Sequence, residues 1–345
     1  MTISIRRVCS WKFSFYRLLL PALRRLGPAR GDRALGMLGM AFALAWPGRR
    51  TRLRRALLGA RGALSLDDGR AWDWLGFAAG TARFLGRDYL LDLPEDGAFH
   101  ERFEVDGLDH FRAAAGAGRG VMLVGSHFGA HLAGLHWLFR SGIPVNALVQ
   151  RPTHISAALS KLIDARLAAG PGNDLFLHRK LQPAEAAELL LRARSALRRG
   201  ELVYACGDIP WEGPNCRSGR LLGRGHRFLS IWTDLAVLTR APTLHVFCSH
   251  LPGGKFRLEF VPAGPVRPGE EALAVENYLR NLEARIGETP TQAVAHLLWP
   301  CFSPTVADRP GARFRRHGHP GSTAPKSTPR AVRPGTRRLD HGQGR

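Results

Sequence analysis

Between residues 107 and 286, short apolar runs of strand type alternate with stretches that have a helical pattern. The apolar runs are continuous, which is typical of strands buried on both faces of a sheet. Strands that alternate with helices favour parallel pairing. We therefore predict an α/β fold with a mostly parallel central sheet flanked by helices. The predicted strands are 121–125, 143–149, 201–206, 243–249 and 255–261, the last two forming a hairpin, and the predicted helices are 68–91, 107–116, 130–140, 156–169, 183–199, 228–240 and 271–286.

The N-terminal residues 1–61 differ from this body, since they contain 14 basic residues and one acidic residue, Asp32. Residues 11–26 mix aromatic and basic side chains, a composition suited to a membrane interface. The uncharged stretch 34–46 has only 13 residues, whereas a spanning helix needs about 20. We therefore expect residues 1–61 to form a membrane-associated helical region. We expect the protein to lie at the cytoplasmic face of the inner membrane, bound peripherally or by a single N-terminal anchor.

The net charge of +22 lies mainly in the two ends of the chain. Residues 303–345 are rich in Pro, Gly, Ser and Arg, so we expect a disordered basic tail. Residues 62–302 are nearly neutral and form the predicted α/β domain. Basic ends suit an anionic membrane surface or an acidic protein. The neutral body and the lack of a recognised nucleic-acid motif argue against nucleic acid as a partner. The five cysteines have neither zinc-ribbon nor thioredoxin-like spacing.

Polar side chains follow several of the predicted strands. His127 follows strand 121–125 and precedes a predicted helix, a position suited to proton transfer. Arg151 and Asp208 follow two other strands. Because the carboxyl ends of parallel strands meet at one edge of a sheet, we expect these three side chains to converge. A lone histidine is more often structural, but convergence favours a functional site.

Four sequence blocks occur in an order that resembles the lipid A biosynthesis lauroyl/myristoyl acyltransferases and the relatives that acylate mannosylated phosphoinositides. The resemblance covers about residues 15–300. The blocks are Ser126–Leu132 (SHFGAHL), Pro144–Pro152, Tyr204–Asp208 with the following loop to Arg227 and Leu238–Pro242, and Glu288–Gln292.

The resemblance implies an acyltransferase that uses an acyl thioester of acyl carrier protein or coenzyme A. The implied acceptor is a hydroxyl of a glycolipid or related membrane lipid, with His127 as the general base. No cofactor or metal is expected. The family motif places an acid five residues after this histidine, where the chain has Leu132. His131 and Asp208 are the candidate substitutes for that acid. The alternative is a family member without catalysis that binds lipid or a partner.

His127 and His131 also have the spacing of a zinc-binding helix. Phe128 stands where a zinc protease of this type has its glutamate, and His136 misses the usual position of the third ligand by one residue. This pattern predicts no metal site.

Arginines near the predicted strand ends are candidates for substrate binding. They are Arg151 and, in the glycine-rich loop 208–227, Arg217, Arg220 and Arg224. Guanidinium groups could hold an anionic headgroup or the phosphopantetheine arm of the donor. The alternative is a solvated, arginine-rich loop.

Overall fold

The computed structural model describes residues 11–65, 73–86, 97–150, 160–161, 164–165, 176–177, 183–213 and 215–298. Its strands are β1 (Phe103–Asp106), β2 (Val121–Gly125), β3 (Val145–Gln150), β4 (Phe176–Leu177), β5 (Leu202–Cys206), β6 (Cys216–Leu221), β7 (Arg224–Leu229), β8 (Thr243–Leu251) and β9 (Lys255–Gly264). Within the described residues, seven strands form the central sheet in the order β1-β9-β8-β2-β5-β3-β4.

The central sheet is mostly parallel. β2 pairs in parallel with both β5 and β8, and β3 pairs in parallel with β4 and β5. β8 and β9 form the antiparallel hairpin predicted from the sequence. β1 extends this sheet by pairing in parallel with β9. The predicted α/β class is therefore confirmed. The edge strand β1 was not predicted, because its four residues include the charged Glu104 and Asp106.

Helices cover both faces of the sheet. They are α1 (Trp11–Phe13), α2 (Leu20–Arg24), α3 (Pro28–Ala45), α4 (Pro47–Leu64), α5 (Trp74–Leu85), α6 (Leu108–Gly116), α7 (His131–Arg140), α8 (Pro183–Arg198), α9 (Ile231–Thr239), α10 (Glu271–Glu288) and α11 (Val294–Leu298). A π-helical segment (Ser14–Leu19) joins α1 to α2, and short 3-10 helices occupy Gly97–Arg102 and Pro290–Gln292.

In the part of the chain that the structure describes, the core consists of two hydrophobic clusters, and strand β2 contributes side chains to both. Side chains alternate between the two faces of a strand. Met122 and Val124 belong to the cluster that contains Tyr278 of α10. Val121 and Leu123 belong to the other cluster, with residues of α6 and α7. The continuous apolar sequence of β2 is therefore explained by burial on both faces.

The N-terminal helices α3 and α4 pack on the body of the protein, and α3 keeps large apolar side chains such as Met37 and Phe42 exposed. Gly39 of α3 lies so close to α5 that an added Cβ would be 2.6 Å from the carbonyl oxygen of Ala78. α4 extends to Leu64, and its buried face joins the hydrophobic core. No helix in the described ranges has both the length and the apolar character needed to span a bilayer.

The structure differs from the sequence prediction between residues 208 and 240. Residues 208–227, predicted as a loop, include β6 and the first part of β7, which form an antiparallel hairpin. β7 continues to Leu229, so the helix predicted over 228–240 begins only at Ile231. Arginines and glycines in this hairpin hide the strand pattern. Leu222 and Gly223, both with positive φ, form its turn. The predicted tail 303–345 and most of the predicted helix 156–169 lie outside the described residues.

Candidate active site

The turn after β2 is held by hydrogen bonds from other elements. The carbonyl oxygen of Gly125 accepts from the Tyr278 hydroxyl at 2.7 Å. The amide of Gly129 donates to the Gln292 carbonyl at 3.1 Å, and the amide of Ala130 donates to the Cys248 carbonyl at 2.7 Å. Helix α7 then begins at His131. This turn fixes the backbone on both sides of His127.

Asp208 lies beside His127 at the carboxyl end of the sheet. β5 is paired with β2 so that Cys206 lies opposite Gly125, and Asp208 follows two residues later. Its Oδ1 is 2.9 Å from Nδ1 of His127, and its Oδ2 accepts from the His127 backbone amide at 2.5 Å. The predicted convergence is therefore seen for these two residues, whereas Arg151 lies outside the described residues.

This contact defines the tautomer of neutral His127. An ionised carboxylate can only accept hydrogen bonds, so Nδ1 must carry the proton that faces Asp208. The lone pair of the neutral ring is then on Nε2. The side chain of His127 is 22% exposed and that of Asp208 is fully buried. The arrangement pairs a histidine that solvent can reach with a buried carboxylate, as general-base sites do.

A second histidine, His296 of α11, contacts the same carboxylate. Its Nε2 is 2.8 Å from Oδ2 of Asp208, and both side chains are fully buried. Burial alone would raise the pKa of Asp208. The interactions with His127 and His296 outweigh burial and hold this pKa well below its ordinary value. The sequence did not identify His296, because it lies within the apolar run AVAHLLW.

His127, Cys206 and Asp208 can bring three ligand atoms within 4.8 Å of one another, a spacing that a metal ion could use. Two observations oppose this use. Burial, followed by the nearby charge of Asp208, raises the pKa of the Cys206 thiol well above its ordinary value, which disfavours the thiolate that a metal requires. Both oxygens of Asp208 already accept hydrogen bonds. The donor set suits a hydrogen-bonded histidine–aspartate pair better than a metal site.

His131, the other candidate substitute for the family acid, is the first residue of α7. Its ring centroid is 5.2 Å from that of His127 and 5.5 Å from that of Phe84. The structure thus places His131 next to the candidate base. The carboxylate partner of His127, however, is Asp208.

Leu132 lines a pocket next to this site. The pocket is small and partly open to solvent. An ion pair between Arg83 and Asp32, with Nε and Oδ1 2.7 Å apart, borders it. Burial and the charge of Arg83 lower the pKa of His250, another lining residue, to about 4. The remaining wall is largely apolar and includes Leu35, Phe84, Ala133 and Phe256.

The predicted loop arginines do not converge on one point. Arg217 pairs with Asp234 at 3.2 Å. Pairing of β6 with β7 places Arg217 and Arg224 on one face of the hairpin and Arg220 on the other. Arg220 is exposed and donates to the Gly223 carbonyl at 3.2 Å. The structure therefore does not support a single anion site built from all three arginines.

Comparison with protein families finds that the model of the bacterial lipid A biosynthesis acyltransferases matches residues 3–299. The match includes the N-terminal helices, the sheet and α11. Comparison with curated proteins finds no match.

Proposed function

The chain belongs to the bacterial lipid A biosynthesis acyltransferase family, and we propose that it moves a fatty acyl group from an acyl thioester to a lipid hydroxyl. The donor is a thioester of acyl carrier protein or coenzyme A, and the acceptor is a glycolipid or related lipid. The observation that carries this proposal is the 2.9 Å contact between His127 Nδ1 and Asp208 Oδ1. It supplies the oriented base that an acceptor hydroxyl requires.

In the proposed reaction, His127 Nε2 removes the proton from the acceptor hydroxyl while the hydroxyl oxygen attacks the carbonyl carbon of the thioester. A carbon–oxygen bond forms, and collapse of the tetrahedral intermediate breaks the carbon–sulfur bond. The departing thiolate takes up the proton from the imidazolium. Asp208 keeps the ring in the productive tautomer and stabilises its cationic form.

The replacement of the family acid by Leu132 supports the competing proposal of a non-catalytic lipid-binding protein. Asp208 answers that objection, because it provides His127 with a carboxylate partner from another strand. Leu132 instead contributes to the apolar wall of the neighbouring pocket. We propose that this pocket receives part of the acyl chain.

We also propose that the protein binds peripherally to the cytoplasmic face of the inner membrane. The outer side of α3 exposes large apolar side chains, Met37, Leu38, Phe42 and Leu44, and Trp46 follows the helix. Arg49 of the adjacent α4 lies over the Phe42 ring, 4.7 Å from its centroid. α4 presents further exposed arginines, Arg50, Arg52, Arg54 and Arg55. Apolar residues beside a basic helix suit anionic lipid.

Acyl transfer is tested by incubating the full-length protein in membranes with labelled acyl-carrier-protein and coenzyme A thioesters and analysing the lipids by mass spectrometry. We expect His127→Ala to lower turnover by about 10²–10⁴. His110→Ala, which changes an exposed histidine on α6, is the matched control and keeps turnover. Full transfer by His127→Ala would exclude the mechanism. No transfer by the wild type to any acceptor would favour the non-catalytic alternative.

Membrane binding is tested separately by flotation with vesicles of phosphatidylglycerol or of phosphatidylcholine. We expect binding to the anionic vesicles that is weakened in Phe42→Ser and Leu44→Ser. Leu191→Ser, which changes an equally exposed leucine on α8, is the control. Equal flotation of all three variants would contradict this docking surface.

A further inference from the structure

The carboxylate of Asp208 accepts hydrogen bonds from two histidines, and only one of them fits the role of general base. We propose that His296 is a positioning residue, which holds the Asp208 carboxylate in the orientation that His127 needs. This inference rests on the proposed acyl transfer. It assigns to α11 a part in the reaction that none of the sequence motifs indicated.

The hydrogen-bond geometry separates the two oxygens of Asp208. Oδ1 faces Nδ1 of His127 at 2.9 Å. Oδ2 accepts from His296 Nε2 at 2.8 Å and from the backbone amide of His127. Because both oxygens are engaged, the carboxylate cannot rotate without losing a contact. His296 is the side chain that holds Oδ2, so it fixes the plane in which Oδ1 meets the base.

Burial makes this donor hard to replace. The side chains of His296 and Asp208 are both fully buried. A buried carboxylate needs hydrogen-bond donors to remain ionised, and the two histidine interactions keep the pKa of Asp208 low. An apolar side chain at position 296 would leave Oδ2 with the backbone amide alone. Tyr204 and Tyr278 are also close enough to influence this carboxylate, but burial raises their pKa values far above the ordinary range and keeps them neutral.

The segment that carries His296 also holds the turn of His127. The side chain of Gln292 accepts from the amide of His250 at 2.7 Å and donates to its carbonyl at 2.9 Å. The carbonyl of Gln292 accepts from the amide of Gly129. At the other end, Nη2 of Arg52 donates to the carbonyl of Leu298 at 3.1 Å. His296 is thus fixed relative to His127 by the backbone on both sides of it.

The test compares three substitutions of His296 in the full-length protein. Gln keeps an N–H donor close to the place of Nε2, Leu removes the donor, and Asn offers a donor on a shorter arm. Residues that only orient a functional side chain typically contribute about 10- to 100-fold to activity. We therefore expect His296→Leu to lower kcat by about 10- to 100-fold with little change in KM. His296→Gln should restore most of the rate, and His296→Asn should not. Equal activity of the Gln and Asn variants would overturn the proposal, even if the Leu variant does not fold.

A double-mutant cycle distinguishes positioning from general support of the fold. If His296 acts through Asp208, His296→Leu should add little to the loss already caused by Asp208→Asn. If the two losses multiply, His296 acts independently and the proposal fails.

A spectroscopic measurement does not depend on acyl transfer. In protein labelled with ¹⁵N-histidine, the hydrogen-bonded N–H protons of the two imidazoles give downfield NMR signals, assigned with His127→Gln and His296→Gln. We expect His296→Leu to displace the His127 signal and His296→Gln to leave it in place. An unmoved signal in His296→Leu would overturn the inference. If the His127 signal responds to His296→Leu as expected but the wild type transfers no acyl group, the inference stands and the proposed function is contradicted.

Discussion

Nδ1 of His127 and Oδ1 of Asp208 lie 2.9 Å apart, although 81 positions separate the two residues. The family motif would place an acid five residues after this histidine, at Leu132. In this chain, a carboxylate reaches the same histidine from the carboxyl end of the neighbouring strand. The parallel pairing of β2 with β5 makes this contact, so a change in one motif does not remove the carboxylate partner of His127.

The substitution Asp208→Asn tests this contact directly. The amide keeps the shape of the side chain but removes the charge that stabilises the imidazolium and selects its tautomer. We expect turnover to fall by about 10²–10⁴ in the acyl-transfer assay. Asp234→Asn, which changes a half-buried aspartate paired with Arg217, should retain turnover. Unchanged activity of Asp208→Asn would mean that the contact has no catalytic role.

The sequence predicted the site residues that directly follow an apolar strand. β2 and β5 were recognisable as buried strands, and the rule that parallel strands end at one edge brought His127 and Asp208 together. His296 could not be found in this way, because it follows no strand and its neighbours are apolar. The β6–β7 hairpin was missed for the opposite reason, since its exposed face carries arginine and glycine rather than a period of apolar residues.

Leu132→Glu tests whether the site lacks its family acid. Asp208 already occupies Nδ1 of His127, so we expect no increase in turnover. Leu132 is partly buried against the core, and a carboxylate there should lower the free energy of unfolding by about 1–3 kcal/mol. Leu132→Met conserves volume and should cost less than about 1.5 kcal/mol. A rise in turnover with Leu132→Glu would show that the natural site is impaired by the missing acid.

Gly129→Ala tests the turn that carries His127. Gly129 has φ +55, and an added Cβ would collide with the Cys248 carbonyl oxygen. Gly142 also has positive φ, of +76, but nothing lies within 4 Å of its added Cβ. Both alanine variants carry the left-handed penalty of about 1–2 kcal/mol, and the collision should add about 1–3 kcal/mol at Gly129 alone. Urea unfolding measures the difference, and we expect turnover to fall only in Gly129→Ala. Equal stability and activity of the two variants would show that the turn tolerates the displacement.

The pH dependence of stability should report on His245, a buried histidine of β8. Its Nδ1 lies 3.0 Å from the side-chain nitrogen of Asn281. Burial, followed by the charge of Arg285, lowers its pKa from 6.5 to about 4. As the pH falls below about 6.5, the unfolded chain binds a proton that the folded protein excludes until about pH 4. The contribution of His245 to the free energy of unfolding is therefore fully present above this pH window. It is lost on acidification by about 1.4 kcal/mol per pH unit, or about 3 kcal/mol in total.

His245→Gln tests this dependence, because glutamine cannot be protonated. Measured by urea unfolding between these pH values, the free energy of unfolding should change less steeply with pH in the variant than in the wild type. Identical slopes would mean that His245 is already protonated in the folded state.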